Sequence, residues 1–142
     1  MKRKKILIAA ANWTILCFLD YHLTGNGYNT ACSWDGIHVF PKLKEFNPEV
    51  VILDANIKEA DCLMICRYIK EHKADRRIII LASQDMHAER FKELELEADA
   101  CVTRPVELKE LLLKIKALLE KRRGYGLHKD LLRFHFDQFD NT

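Results

Sequence analysis

Two kinds of hydrophobic pattern alternate along this chain. Short, mostly apolar runs at residues 5–10, 28–32, 50–53, 77–81 and, more weakly, 98–103 are separated by stretches in which apolar residues recur every three or four positions. The runs predict strands buried on both faces, and the spaced stretches predict amphipathic helices. Asn12 is placed to cap a first helix reaching about Leu23, with Ile15, Leu16, Leu19 and Leu23 on one face, and Gly25-Asn26-Gly27 ends it. Asp35-Gly36 opens a second helix through Phe46, with Ile37, Phe40 and Leu43 inward; Pro41 in its second turn should kink it or shift its start. Helices are also predicted at 60–72 (Leu63, Ile65, Cys66, Ile69), at 86–97 (Phe91, Leu94) and at 107–121 (Leu108, Leu111, Leu112, Ile115, Leu118).

Strands that are apolar throughout belong in a parallel sheet, and right-handed crossovers then give a doubly wound α/β domain over residues 4–122. Gly124-Tyr125-Gly126 reads as a hinge within 123–142, before a short helical tail. Leu127, Leu131, Leu132, Phe134 and Phe139 in that tail are too apolar to stay in water, so packing on the domain or on a second subunit is expected.

Composition changes little in this picture. The net charge of +2 is too small to argue for a polyanionic partner, and the basic clusters Lys2–Lys5 and Lys121–Arg123 read as solvated segment ends. Nucleic-acid binding is not expected. The five cysteines, Cys17, Cys32, Cys62, Cys66 and Cys101, mostly have apolar neighbours and imply a reducing, cytoplasmic setting without a disulfide framework. Cys62 and Cys66 lie one helical turn apart, but no further ligand completes a zinc set. The basic start followed by I-L-I-A-A-A resembles a secretion signal, yet Asn12 and Thr14 interrupt it, no cleavage site follows, and it is too short to span a bilayer. No membrane association is expected.

Candidate chemistry lies at the carboxyl ends of the strands, where the working crevice of such sheets forms. The first run ends on Ala10, Ala11 and Asn12; the third, V-V-I-L, on Asp54; the fourth on Ala82 and Ser83; the fifth on Thr103, Arg104 and Pro105. The segment A-A-A-N-W-T lacks the glycines of a dinucleotide fingerprint. The six histidines form no catalytic pairing, so an enzyme is not expected.

Four segments, K-I-L-I, N-P-E-V-V-I-L-D-A-N, I-I-I-L and A-D-A-C-V-T-R-P-V, in this order and spacing, resemble the receiver domain of bacterial two-component response regulators, a CheY-like family. The resemblance implies a flavodoxin-like five-stranded sheet of order 2-1-3-4-5. It implies phosphoryl transfer from a kinase histidine to the aspartate ending the third strand, which is Asp54. The family's acidic pair for Mg²⁺ falls on Ala10 and Ala11. Its phosphoryl-binding hydroxyl falls on Ala82, with Ser83 next door, its lysine on Arg104, and its aromatic switch residue on Cys101.

The chain is thus expected to be a degenerate receiver. It would be an interaction module for a sensor histidine kinase or an output protein, with a homodimer through the fourth helix, fifth strand and fifth helix as one arrangement. No cofactor and no metal are expected; Asp54 and Asn56 are the only weak candidates for a cation. Without Mg²⁺, Arg104 is expected to pair with Asp54 through parallel hydrogen bonds. A second reading keeps a phosphorylatable Asp54 with Mg²⁺, using Asn12, Ser83 and Arg104 as stand-ins. A third treats the alanine-floored site, rimmed by Trp13 and Arg104, as a small-molecule sensor.

Overall fold

Ile6 and Ile8 pack on one face of a sheet and Leu7 and Ala9 on the other, and the same alternation runs through Val50–Leu53 and Ile78–Leu81. This two-sided burial is why these three runs are apolar. The computed structural model describes residues 2–120. Its elements, in chain order, are β1 (Lys5–Ala9), α1 (Trp13–Gly25), β2 (Asn29–Ser33), α2 (Val39–Phe46), β3 (Val50–Asp54), α3 (Cys62–His72), β4 (Arg77–Ala82), α4 (Ala88–Glu97), β5 (Ala100–Thr103) and α5 (Leu108–Glu120). All pairings are parallel, in the order β2-β1-β3-β4-β5. The doubly wound α/β architecture and the order 2-1-3-4-5 are therefore as expected. The hinge and sixth helix foreseen within 123–142 lie outside the described residues.

Leu16, Leu19 and Leu23 of α1 join Leu111, Ile115 and Leu118 of α5 on one face of the sheet. Val39 and Leu43 of α2, Leu63, Ile65, Cys66 and Ile69 of α3, and Leu94 of α4 cover the other. At roughly 2 kcal/mol for each large side chain removed from water, these two layers supply the main stabilising term.

Several boundaries move for local reasons. The second helix starts at Val39, not at Asp35-Gly36, because Asp35 Oδ1 accepts from the amide of His38 at 2.8 Å and closes a turn instead. Ile37, expected inward, sits in that turn and is 53% exposed; Val39 takes the core position. Pro41 becomes the third helical residue, where an amide has no helical acceptor, so it bends nothing. Gly36 holds the turn tight: a Cβ there would lie 2.6 Å from Ala60 Cβ. The helix ends on Asn47 in the left-handed conformation (φ 54°), and the buried Arg76 caps the end by donating to Leu43 O and Pro48 O.

Asp61 caps α3, so that helix begins at Cys62, two residues later than the sequence pattern suggested. The fourth helix also begins two residues late, at Ala88, and β2 and β5 begin one and two residues late. Asn12 caps α1 as expected, its Oδ1 accepting from Ile15 N at 3.1 Å; the helix runs two residues past Leu23.

Candidate functional site

Ala9 pairs with Leu53, so Ala10 and Asp54 are the next positions on neighbouring strands.

 Asp54 ends β3 and is almost fully buried, with 2% of its surface exposed. Its Oδ1 accepts from the backbone amide of Asn56 at 2.9 Å, and its Oδ2 accepts from Arg104 Nη2. The turn after β3 is held as well: Ala55 N donates to Leu81 O, and Ile57 N to Asp54 O.

Arg104 directly follows β5. Its own amide donates to Ala82 O at 2.8 Å, and a cis peptide bond joins it to Pro105. The β5–α5 connection is thus fastened to β4 through backbone and to β3 through the guanidinium. One guanidinium nitrogen meets the carboxylate, whereas two parallel contacts were expected from the sequence. Arg104 Nε is buried without a hydrogen-bond partner among the described residues. The contact is still an ion pair between a buried carboxylate and a guanidinium.

The other positions singled out by sequence are spread around this pair. Ala10 is fully buried, its amide donating to Ser33 O at 3.0 Å, while Ala11 is exposed. Asn12 spends its side-chain oxygen on the α1 cap. Asn56 is exposed and meets Asp54 through its amide; the sequence had suggested its carbonyl, as a metal ligand. Ala82 is buried at the end of β4, and Ser83 lies half-buried beside it. Cys101 is half-buried on β5, and its carbonyl accepts from Lys114 Nζ at 2.8 Å.

These residues do not fit Mg²⁺. The cation favours six oxygens in an octahedron, usually including carboxylates. Here Ala10 and Ala11 present methyl groups, and each oxygen of Asp54 already accepts from a donor. A divalent cation at Asp54 would also face the Arg104 charge directly. Among the described residues, no group of three or more His, Cys, Asp and Glu is arranged to hold a metal.

One feature escaped the sequence reading. Trp34, just past β2, lies 6.2 Å from Trp13 between ring centroids, and both rings are largely exposed. The adjacency of β1 and β2 places the residues that follow them side by side, so strand order was the signal that could have found the pair.

Residues 6–116 match the family described as the response regulator receiver domain. Solved structures show the same fold. The receiver domain of a Francisella response regulator aligns with a TM-score of 0.73 at 22% identity, covering 82% of this chain and 96% of that one. The chemotaxis response regulator CheY4 of Vibrio cholerae gives 0.74 at 18% identity, covering 82% and 99%. A two-component response regulator from Clostridium difficile gives 0.78 at 17% identity, covering 86% and 100%.

Proposed function

Because this chain belongs to the response regulator receiver domain family, we propose that it serves two-component signalling as a protein-interaction module that does not use Mg²⁺-dependent phosphorylation. The observation that carries this reading is Asp54 buried under Arg104, with a donor on each carboxylate oxygen. Phosphoryl transfer to a carboxylate requires an accessible oxygen and compensation of the charge that develops on the phosphoryl group. The alanines at 10 and 11 supply no metal ligand, and Ala82 supplies no hydroxyl. Arg104 compensates the charge of Asp54 itself.

The role left to the domain is to present surfaces. Its partners would be a sensor histidine kinase or an output protein, and it would work in the cytoplasm without an enzymatic activity of its own. No described helix is long and apolar enough to cross a membrane. The face formed by α4, β5 and α5 is the proposed contact surface, including any homodimer.

Incubation with acetyl phosphate and millimolar Mg²⁺, followed by intact-mass measurement, tests the reading. The expected result is no phosphoryl adduct. A stoichiometric adduct that disappears in Asp54→Asn would overturn it and would favour a phosphorylatable receiver with Asn12, Ser83 and Arg104 as stand-ins.

A further inference from the structure

The outer face of α1 differs from that of the other helices. Trp13, Cys17 and Tyr21 recur at every fourth position and form one exposed row, with Phe18 beside it. Trp13 is 66% and Tyr21 75% exposed, and the ring of Trp34 lies next to that of Trp13. The helix has no Lys, Arg or Glu, and its one Asp, Asp20, accepts from Thr30 Oγ1 of β2. The other helices put charges in water instead: Lys44 in α2, Arg67 in α3, Glu93 in α4 and Lys116 in α5. A helix that is apolar all round is ordinarily covered all round.

Size and charge point to what covers it. The exposed parts of Trp13, Phe18, Tyr21 and Trp34 amount to about 500 Å². Each partner of a standard protein interface contributes about 800 Å², so this face supplies most of a small, concentration-dependent contact. A lipid surface would call for cations beside the apolar row, and α1 has neither Lys nor Arg. A partner selected by charge finds nothing to read here. A second copy of the same face brings matching apolar surface without like-charge repulsion.

We propose that α1 pairs antiparallel with α1 of a second copy, about a two-fold axis at Cys17. Cys17 is the midpoint of the row from Trp13 to Tyr21, which is about 12 Å long. An axis there sets Trp13 of each copy against the partner's Tyr21 and brings the two Cys17 side chains face to face. Cys17 is the smallest side chain of the row, and it lets the helix axes approach to the usual distance of about 8–10 Å. The contact is isologous and closes on itself as a dimer. Hydrogen bonds from Thr24 and Asp20 to Thr30 hold α1 against β2, at the edge of the sheet opposite β5. The contact is therefore distinct from the α4–β5–α5 surface and leaves that surface open for a kinase or an output protein. The inference goes beyond the Asp54–Arg104 reading and does not depend on whether Asp54 accepts a phosphoryl group.

The test is sedimentation of the full chain from micromolar to millimolar concentration, together with cross-linking by a short bismaleimide and peptide mass spectrometry. The native chain should pass from monomer to dimer, and Cys17, the exposed one of the five cysteines, should cross-link to the partner's Cys17. Tyr21→Lys changes an exposed position, so the fold is kept, but it removes the ring from both ends of the contact at once. It should raise the dissociation constant at least about tenfold. Leu96→Glu, on the exposed side of α4, should leave the dimer unchanged. A chain that stays monomeric at millimolar concentration would overturn the proposal. So would a dimer that lacks the Cys17 cross-link, survives Tyr21→Lys or dissociates in Leu96→Glu.

Discussion

Arg104 Nη2 rests on Asp54 Oδ2 across fifty residues of sequence, and the Arg104 amide is bound to Ala82 O. The carboxylate at the end of β3 is thereby tied to the connection that follows β5. An acid that would otherwise be buried and unpaired becomes one half of an ion pair, and the cation is supplied by the protein instead of by solution.

Removing the two partners should have unequal effects. Arg104→Ala leaves a buried carboxylate with one amide donor and should lower stability by about 2–3 kcal/mol in urea denaturation. That is below the cost for a fully buried pair, because the Arg104 side chain is 24% exposed. Asp54→Asn leaves an arginine that water can reach and should cost less than about 1 kcal/mol. The double variant should recover most of the Arg104→Ala loss. If the two effects simply add, the residues are not coupled.

Restoring acids to the end of β1 should be destabilising, and mostly at one position. Ala10 is fully buried next to Asp54, so Ala10→Asp should cost about 3 kcal/mol without metal, from a second buried carboxylate. Ala11 is exposed, and Ala11→Asp should change stability by less than about 0.5 kcal/mol. Thermal melts with EDTA and then with Mg²⁺ check both statements. Mg²⁺ should raise the melting temperature of the Ala10→Asp/Ala11→Asp variant and leave the native chain unchanged. A double variant more stable than the native chain in EDTA would contradict a cost from the second buried carboxylate.

Two cysteines should separate by pH. Burial, followed by the nearby Asp20 carboxylate, pushes the Cys32 thiol from 9.0 up to about 11, while Cys17 is exposed. At pH 8 the reactive thiolate of Cys32 should be about a hundredfold scarcer than that of an ordinary thiol, and its alkylation should lag in proportion. The fold favours the protonated thiol. This contribution is complete below 9.0 and is lost as pH rises towards about 11, so over that range the native chain should lose stability relative to Cys32→Ala. Parallel pH profiles of the two proteins would show the thiol to be unperturbed.

The sheet was legible because its central strands β1, β3 and β4 are apolar on both faces, and a run such as V-V-I-L ending on Asp54 has few alternative placements. The site was legible to the extent that strand ends converge: placing Asp54 and Arg104 at the ends of β3 and β5 brings them to one crevice. Element starts were less so, because side chains decided them. Asp35 bound the His38 amide and turned the expected first turn of α2 into a loop, which put Ile37 in water. The Trp13–Trp34 contact depends on the pairing of β1 with β2, a long-range fact that local periodicity does not carry.

That aromatic pair sits just beyond β1 and β2, at the same edge of the sheet as Asp54, and serves as a native reporter for the central claim. The measurement is tryptophan fluorescence of the native chain and of Asp54→Asn during titration with Mg²⁺ and then with beryllofluoride, which mimics an aspartyl phosphate. An Asp54 held by Arg104 predicts no saturable change in either protein up to millimolar concentrations. A saturable change in the native chain that is lost in Asp54→Asn would contradict it, showing that the acceptor opens to the ligand and that Arg104 yields.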